Sequence, residues 1–128
     1  MQYEYFYGAQ AEQFSFYRIP KALFTEPNFR ELSTDAKVLY GILLDRMSLS
    51  LKNQWLDAQN KVYIIFTVEE IMDALNCANQ KATRLMVELE KQVGLIERKR
   101  QGLGRPNLIY TKNFAATIND KSCEKGDS

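Results

Sequence analysis

The segment from Leu95 to Lys112 (LIERKRQGLGRPNLIYTK) constrains this chain more than any other, because it encodes a β-hairpin with a cationic, glycine-rich tip. Leu95 to Arg100 alternates apolar and charged side chains, as a strand with one buried face requires, and Asn107 to Lys112 (NLIYTK) returns. Between them lies the loop Gln101-Gly102-Leu103-Gly104-Arg105-Pro106, made pliable by its two glycines. Arg98, Lys99, Arg100 and Arg105 crowd around those glycines. Like charges repel at that density, so a polyanionic partner explains the cluster better than solubility does.

A helix precedes the hairpin. Ala82, Leu85, Met86, Leu89 and Val93 recur at helical spacing and define its buried face, and Gly94 ends it. The opposite face carries Gln80, Arg84, Val87 and Lys91, with Lys81 and Thr83 at its edges. Arg matches the paired acceptors of guanine, Gln the donor–acceptor pair of adenine, and Val a thymine methyl. Asn79 and Lys81 stand at the helix N-terminus, where free N–H groups and the dipole favour a phosphate. Gln80, Thr83 and Arg84 are therefore the expected base readers. Lys81, Lys91, Lys99, Arg100 and Arg105 are expected at phosphate or in the minor groove, with Asn79, Arg98 and Asn107 completing the DNA-facing set. The plainer alternative is a solvated face in which Arg84 and Glu88 form an ordinary i,i+4 pair.

Upstream, Asn76 to Asn79 is a tight connection to a shorter helix, Val68 to Leu75, with Val68, Ile71, Met72 and Leu75 inward. Thr67 and Glu70 form its capping box. Val62 to Phe66 is a β-rich run preceded by Trp55-Leu56-Asp57 and a turn over Ala58 to Lys61, which fits a hairpin or a lone strand. The first long helix starts at Ser33-Thr34, with Asp35 in its first turn. Ala36, Leu39, Tyr40, Leu43 and Met47 share one face of it, and Val38, Ile42, Leu44 and Leu49 widen the apolar surface. Such a helix is covered on most sides, as the central helix of the fold or as part of a dimer interface. Phe14 to Ile19 reads as a short strand ended by Pro20, followed by a helical turn carrying Leu23 and Phe24. This order predicts an α+β fold, a mostly helical winged helix-turn-helix with a C-terminal β-hairpin wing. The chain divides into an aromatic arm (1–13), the winged helix (14–114) and a polar linker or tail (115–128).

Composition narrows the function. The net charge of +1 hides an asymmetry: from Asn79 to Lys112 eight basic residues face three acidic ones, so that segment is +5 and the remainder −4. There is no histidine, and Cys77 and Cys123 stand too far apart to suggest a zinc set, so neither metal nor cofactor is expected. Glu69-Glu70 offers no metal pair, since Glu70 belongs to the capping box. No catalytic set emerges, and an enzyme is not expected. The sparse cysteines and the lack of a signal peptide point to reducing cytoplasm, and no apolar run is long enough to cross a bilayer. Cys77 reads as a packing residue rather than a redox sensor. Tyr3, Tyr5, Phe6 and Tyr7 could stack on bases, but Glu4 interrupts them and no basic residue adjoins, which favours core packing or dimer contact.

Four blocks, FYRIPKALF, LSTDAKVLYGILLDRMSLSLKN, VYIIFTVEEIMDALNC and GLIERKRQGLGRPNLIYTKNF, resemble in order the N-terminal domain of the RepA_N family of replication initiators, over Phe14 to Phe114. The resemblance implies a winged helix that dimerises and binds double-stranded origin repeats of a plasmid or related mobile element from low-GC Gram-positive bacteria. It also implies a C-terminal domain, beyond a linker, that engages host replication proteins, so the chain is expected to be a fragment of a longer protein. By position the family's recognition helix falls on Asn79 to Gln92 and its wing on Glu97 to Asn107. Ala78 departs from the pattern: relatives often carry Ser there as N-cap, so the cap is expected to shift to Asn79. A winged-helix transcriptional regulator, and a protein–protein module without DNA specificity, are the competing functions.

Overall fold

Ser33 opens the long helix as the sequence requires: its backbone is extended and its hydroxyl accepts the Ala36 N–H at 3.1 Å. The computed structural model, which describes residues 2–8 and 13–115, places before it the short helix α1 (Ala22–Thr25) and a 3-10 turn (Pro27–Phe29). Helix α2 then runs Thr34–Lys52 and buries Ala36, Leu39, Tyr40, Ile42 and Leu43. It is the central helix of the fold. Tyr40, whose phenol burial pushes up to about 12, donates to the Lys112 carbonyl at 2.9 Å and so joins α2 to the residue that follows the returning strand of the hairpin.

Gly41 sits in mid-helix, where glycine costs about 1 kcal/mol against alanine. The reason is a close crossing: a Cβ at Gly41 would stand 2.7 Å from Ile19 Cγ1 and 3.2 Å from the Arg18 carbonyl oxygen. Residues 14–19 are not a strand, contrary to expectation, because among the described residues no neighbouring strand offers them a ladder. Phe14, Phe16 and Tyr17 stay exposed while Ile19 packs on the core.

After α2 the chain makes a small turn closed by the bridge Leu56↔Val62. The run 62–66 is neither a full hairpin arm nor an isolated strand. Ile64 exchanges two 2.9 Å backbone hydrogen bonds with Ile109 and adds a single rung to the wing. Helix α3 (Val68–Leu75) begins with the expected capping box: Thr67 N–H donates to Glu70 Oε1 at 2.9 Å, and Glu70 N–H to Thr67 Oγ1 at 3.2 Å. Asn76 takes the left-handed conformation (φ 52°), a residue type that tolerates it, and turns the chain into α4 (Asn79–Val87). A π-helical turn over Glu88–Gln92 prolongs α4 to Gln92. Strands β1 (Ile96–Lys99) and β2 (Leu108–Thr111) pair antiparallel, Ile96 opposite Thr111 and Lys99 opposite Leu108. Ile71, Leu85, Leu89, Ile96 and Ile109 close the core beneath them. The polar tail expected after Ala115, with Cys123, lies outside the described residues; Cys77 packs half-buried against the core.

Candidate nucleic-acid interface

The exposed face of α4 is the one the periodicity picks out. Asn79, Gln80, Thr83, Arg84, Val87 and Lys91 are exposed, and Ala82, Leu85 and Met86 lie beneath them. The cap does not shift to Asn79. Ala78 is the N-cap, with extended backbone and no side-chain hydrogen bond, and Asn79 is the first helical residue, its Oδ1 facing the Thr83 hydroxyl at 3.5 Å. The first amides of α4 are thus left without a side-chain acceptor, as a phosphate-binding helix end requires.

Arg84 has no intramolecular ion pair among the described residues, because Glu88 is engaged elsewhere. Glu88 is only 7% exposed and accepts both the Ser33 N–H and, at 3.0 Å, the Ser33 hydroxyl, placing its carboxylate at the positive end of α2. Two residues on, Glu90 reaches the other way. Its carboxylate takes the Arg98 Nε–H at 2.8 Å and the Arg98 Nη2 at 2.7 Å. The two acids of the π turn therefore clamp the end of the recognition helix to α2 on one side and to the wing on the other. Neither role was visible in the sequence, where Glu88 is spaced to pair with Arg84 and Glu90 counts only against the local positive charge.

This clamp divides the expected cations into two groups. Arg98 is paired with Glu90, its side chain 25% exposed, and ties the wing to the π turn. Lys81 pairs with Asp35 at 2.6 Å, but both are more than 40% exposed, and such a pair contributes only about 0–1 kcal/mol. A phosphate can take Lys81 over at little cost. Lys99, Arg100 and Arg105 are exposed with no ion pair among the described residues, and Asn107 is exposed at the foot of β2. Across the loop, Gln101 Nε2 donates to the Pro106 carbonyl at 2.8 Å and Arg105 N–H to the Gly102 carbonyl at 3.2 Å. Behind the wing, the Tyr110 hydroxyl donates to Asp57 Oδ2 at 3.0 Å. The Asp57 carboxyl is held below its usual range, first by the Lys61 N–H and then by Gln59 and Tyr110.

The Glu90 contact carries a pH dependence. Burial alone would push its carboxyl up, but the hydrogen bonds and charge of Arg98 outweigh it and hold it below the ordinary 4.5. A depressed carboxyl stabilises the fold fully above its unfolded value, and the contribution is lost as pH falls through the folded one. Glu90→Gln is expected to cost roughly 1–2 kcal/mol near neutrality and to flatten the loss of stability below pH 4.5. Urea midpoints from pH 7 to 3 check this; parallel curves for variant and parent would refute it.

An apolar cavity of about 820 Å³ is formed by Tyr40, Leu44, Met47 and Phe114 with the α1 region, and it includes none of the residues expected to face DNA. The site is instead made of an exposed helix face and a cationic hairpin, and it belongs to a winged helix-turn-helix. The chain is a member of the RepA_N family: the model of the replication initiator protein A N-terminus matches residues 15–125. It is similar to a 41 kDa protein of Lactobacillus helveticus, 32% identical over 103 residues that cover 80% of this chain and 28% of that protein. It thus spans under a third of that relative's length. Among solved structures, one described as the N-terminal domain of a DNA binding protein is 36% identical, with a TM-score of 0.73 over 99% of this chain and 98% of that one. The structure of a Rep–DNA complex matches at 36% identity, TM-score 0.72, over 98% of both chains. The structure of an MDR initiator matches at 40% identity, TM-score 0.71, over 98% of this chain and 99% of the other.

Proposed function

We propose that this domain binds specific double-stranded repeats at the replication origin of a plasmid or related element, as a homodimer acting in the cytoplasm, and that it works by binding rather than catalysis. The observation that carries the reading is the freedom of Arg84. The carboxylate that would neutralise it in an ordinary solvated helix is withdrawn to Ser33, leaving the guanidinium on a face with Gln80 and Thr83. Family membership and the likeness to a Rep–DNA complex support the same reading. Recruitment of host replication proteins is assigned to the additional length such relatives carry.

Dimerisation draws support from the N-terminal segment. Tyr3, Tyr5, Phe6 and Tyr7 are 58–84% exposed, so core packing within one chain is not their role. Phe14, Phe16 and Tyr17 are exposed as well, and a second copy of the chain is the partner proposed to cover these rings.

Arg84→Ala is expected to weaken binding to a selected repeat by roughly 1–3 kcal/mol and to relax the preference at one base pair. Selection of duplexes from a random pool supplies the cognate site, and a dimer predicts half-sites spaced near whole helical turns. Equal losses on cognate and random duplex would reject the reader assignment.

A further inference from the structure

The basic wing ends in an apolar residue. Leu103 stands at the apex of the loop with its side chain fully exposed, more so than any other large hydrophobic among the described residues. An isolated exposed leucine is ordinary on a protein surface. This one differs in how it is held and in what surrounds it. Gly102 (φ 123°) and Gly104 (φ 77°) flank it with backbone conformations that suit glycine, and a Cβ at either would meet nothing within 4 Å. The glycines therefore serve the shape of the turn. Below the apex the turn is closed by Arg105 N–H to the Gly102 carbonyl and, one layer down, by Gln101 to Pro106. The result is a braced loop that projects one branched apolar side chain between Arg100 and Arg105, neither of which has an ion pair among the described residues.

We infer that Leu103 is a specificity residue of the wing, pressing into the minor groove beside the site read by α4 and selecting A·T pairs there. The inference rests on the DNA-binding reading. Arginines on either side suit the enhanced negative potential of a narrow, A·T-rich minor groove. An apolar group at the groove floor finds only the flat A N3 and T O2 edges at an A·T pair. At G·C it meets the protruding guanine N2 amino group, whose hydrogen-bonding demand leucine cannot satisfy.

The test uses the selected duplex with the base pairs flanking the α4 site changed one at a time to A·T, G·C or inosine·C. Inosine·C keeps the major-groove oxygen and nitrogen of G·C but lacks the minor-groove amino group. The parent protein should prefer A·T and inosine·C to G·C by about tenfold at the wing position. Leu103→Ala should abolish that preference while the salt slope and thermal midpoint stay at parent values, since the side chain is fully solvated and packs on nothing in the fold. Parent binding that does not distinguish G·C from inosine·C at any flanking pair would overturn the inference, as would a Leu103→Ala protein with the parent's preference intact. Either result, obtained while Arg84→Ala still weakens cognate binding, would leave the wider DNA-binding reading standing. Failure of the parent to bind any duplex would remove both.

Discussion

Glu88→Ala is expected to destabilise the domain by roughly 2–4 kcal/mol, a large effect for a change to one polar side chain. The carboxylate accepts two hydrogen bonds from Ser33, one from the backbone and one from the hydroxyl, in a site with little access to water. Bonds to an ionised acceptor contribute more than neutral ones, and truncation leaves both donors to find other partners. The Ser33 hydroxyl also caps α2, so its orientation by Glu88 bears on the start of the central helix. Glu88→Gln should recover part of the loss, because its amide oxygen accepts one bond while its NH₂ cannot accept the other. Urea unfolding of the three proteins checks the order. A Glu88→Ala midpoint within error of the parent would mean that water replaces the carboxylate without penalty.

A second consequence of the same contact reaches the DNA face. With its clamp to α2 gone, the end of α4 keeps only one of the two ties that set its angle to the wing. Cognate binding by Glu88→Ala should then fall while the salt slope holds, because the cations that release counterions are untouched.

The elements of this fold were legible where they obey local rules. The helical spacing of Ala82, Leu85, Met86 and Leu89, the capping box of Thr67 and Glu70, and the alternation in LIERKR each depend on neighbours a few residues away, and the folded chain keeps all three. What was not legible needed partners distant in sequence. Residues 14–19 have strand composition but no strand beside them among the described residues, and Arg18 and Ile19 instead cross α2 where Gly41 lacks a side chain. Glu88 is spaced to pair with Arg84, and only an interaction with Ser33, 55 residues away, decides otherwise. Arg98 has the look of a DNA contact because of its basic neighbours. Its partner within the fold, Glu90, lies eight residues back on another element, beyond any helical or strand spacing. Leu103 gives no signal in the sequence, because a loop leucine is unremarked until its complete exposure is seen.

Removing the three unpaired wing cations together, Lys99→Ala with Arg100→Ala and Arg105→Ala, should weaken binding to every duplex by roughly a hundredfold or more at moderate salt and lower the slope of log K against log salt by about 2.7. The figure follows from about 0.9 released counterions for each phosphate that a cation neutralises. Stability should be nearly unchanged, since none of the three makes an ion pair among the described residues. Arg98→Ala supplies the contrast. Its charge is the same and it adjoins Lys99, but its guanidinium is bonded to Glu90, so its replacement should lower the unfolding midpoint and leave the salt slope close to the parent's. Lys81→Ala belongs between them, because the exposed pair with Asp35 is weak enough to yield to a phosphate. Titrations at several salt concentrations, paired with thermal melts, separate these cases. A slope that falls equally for Arg98→Ala and for each single wing variant would show that proximity to DNA, and not freedom from internal partners, decides which cations bind it.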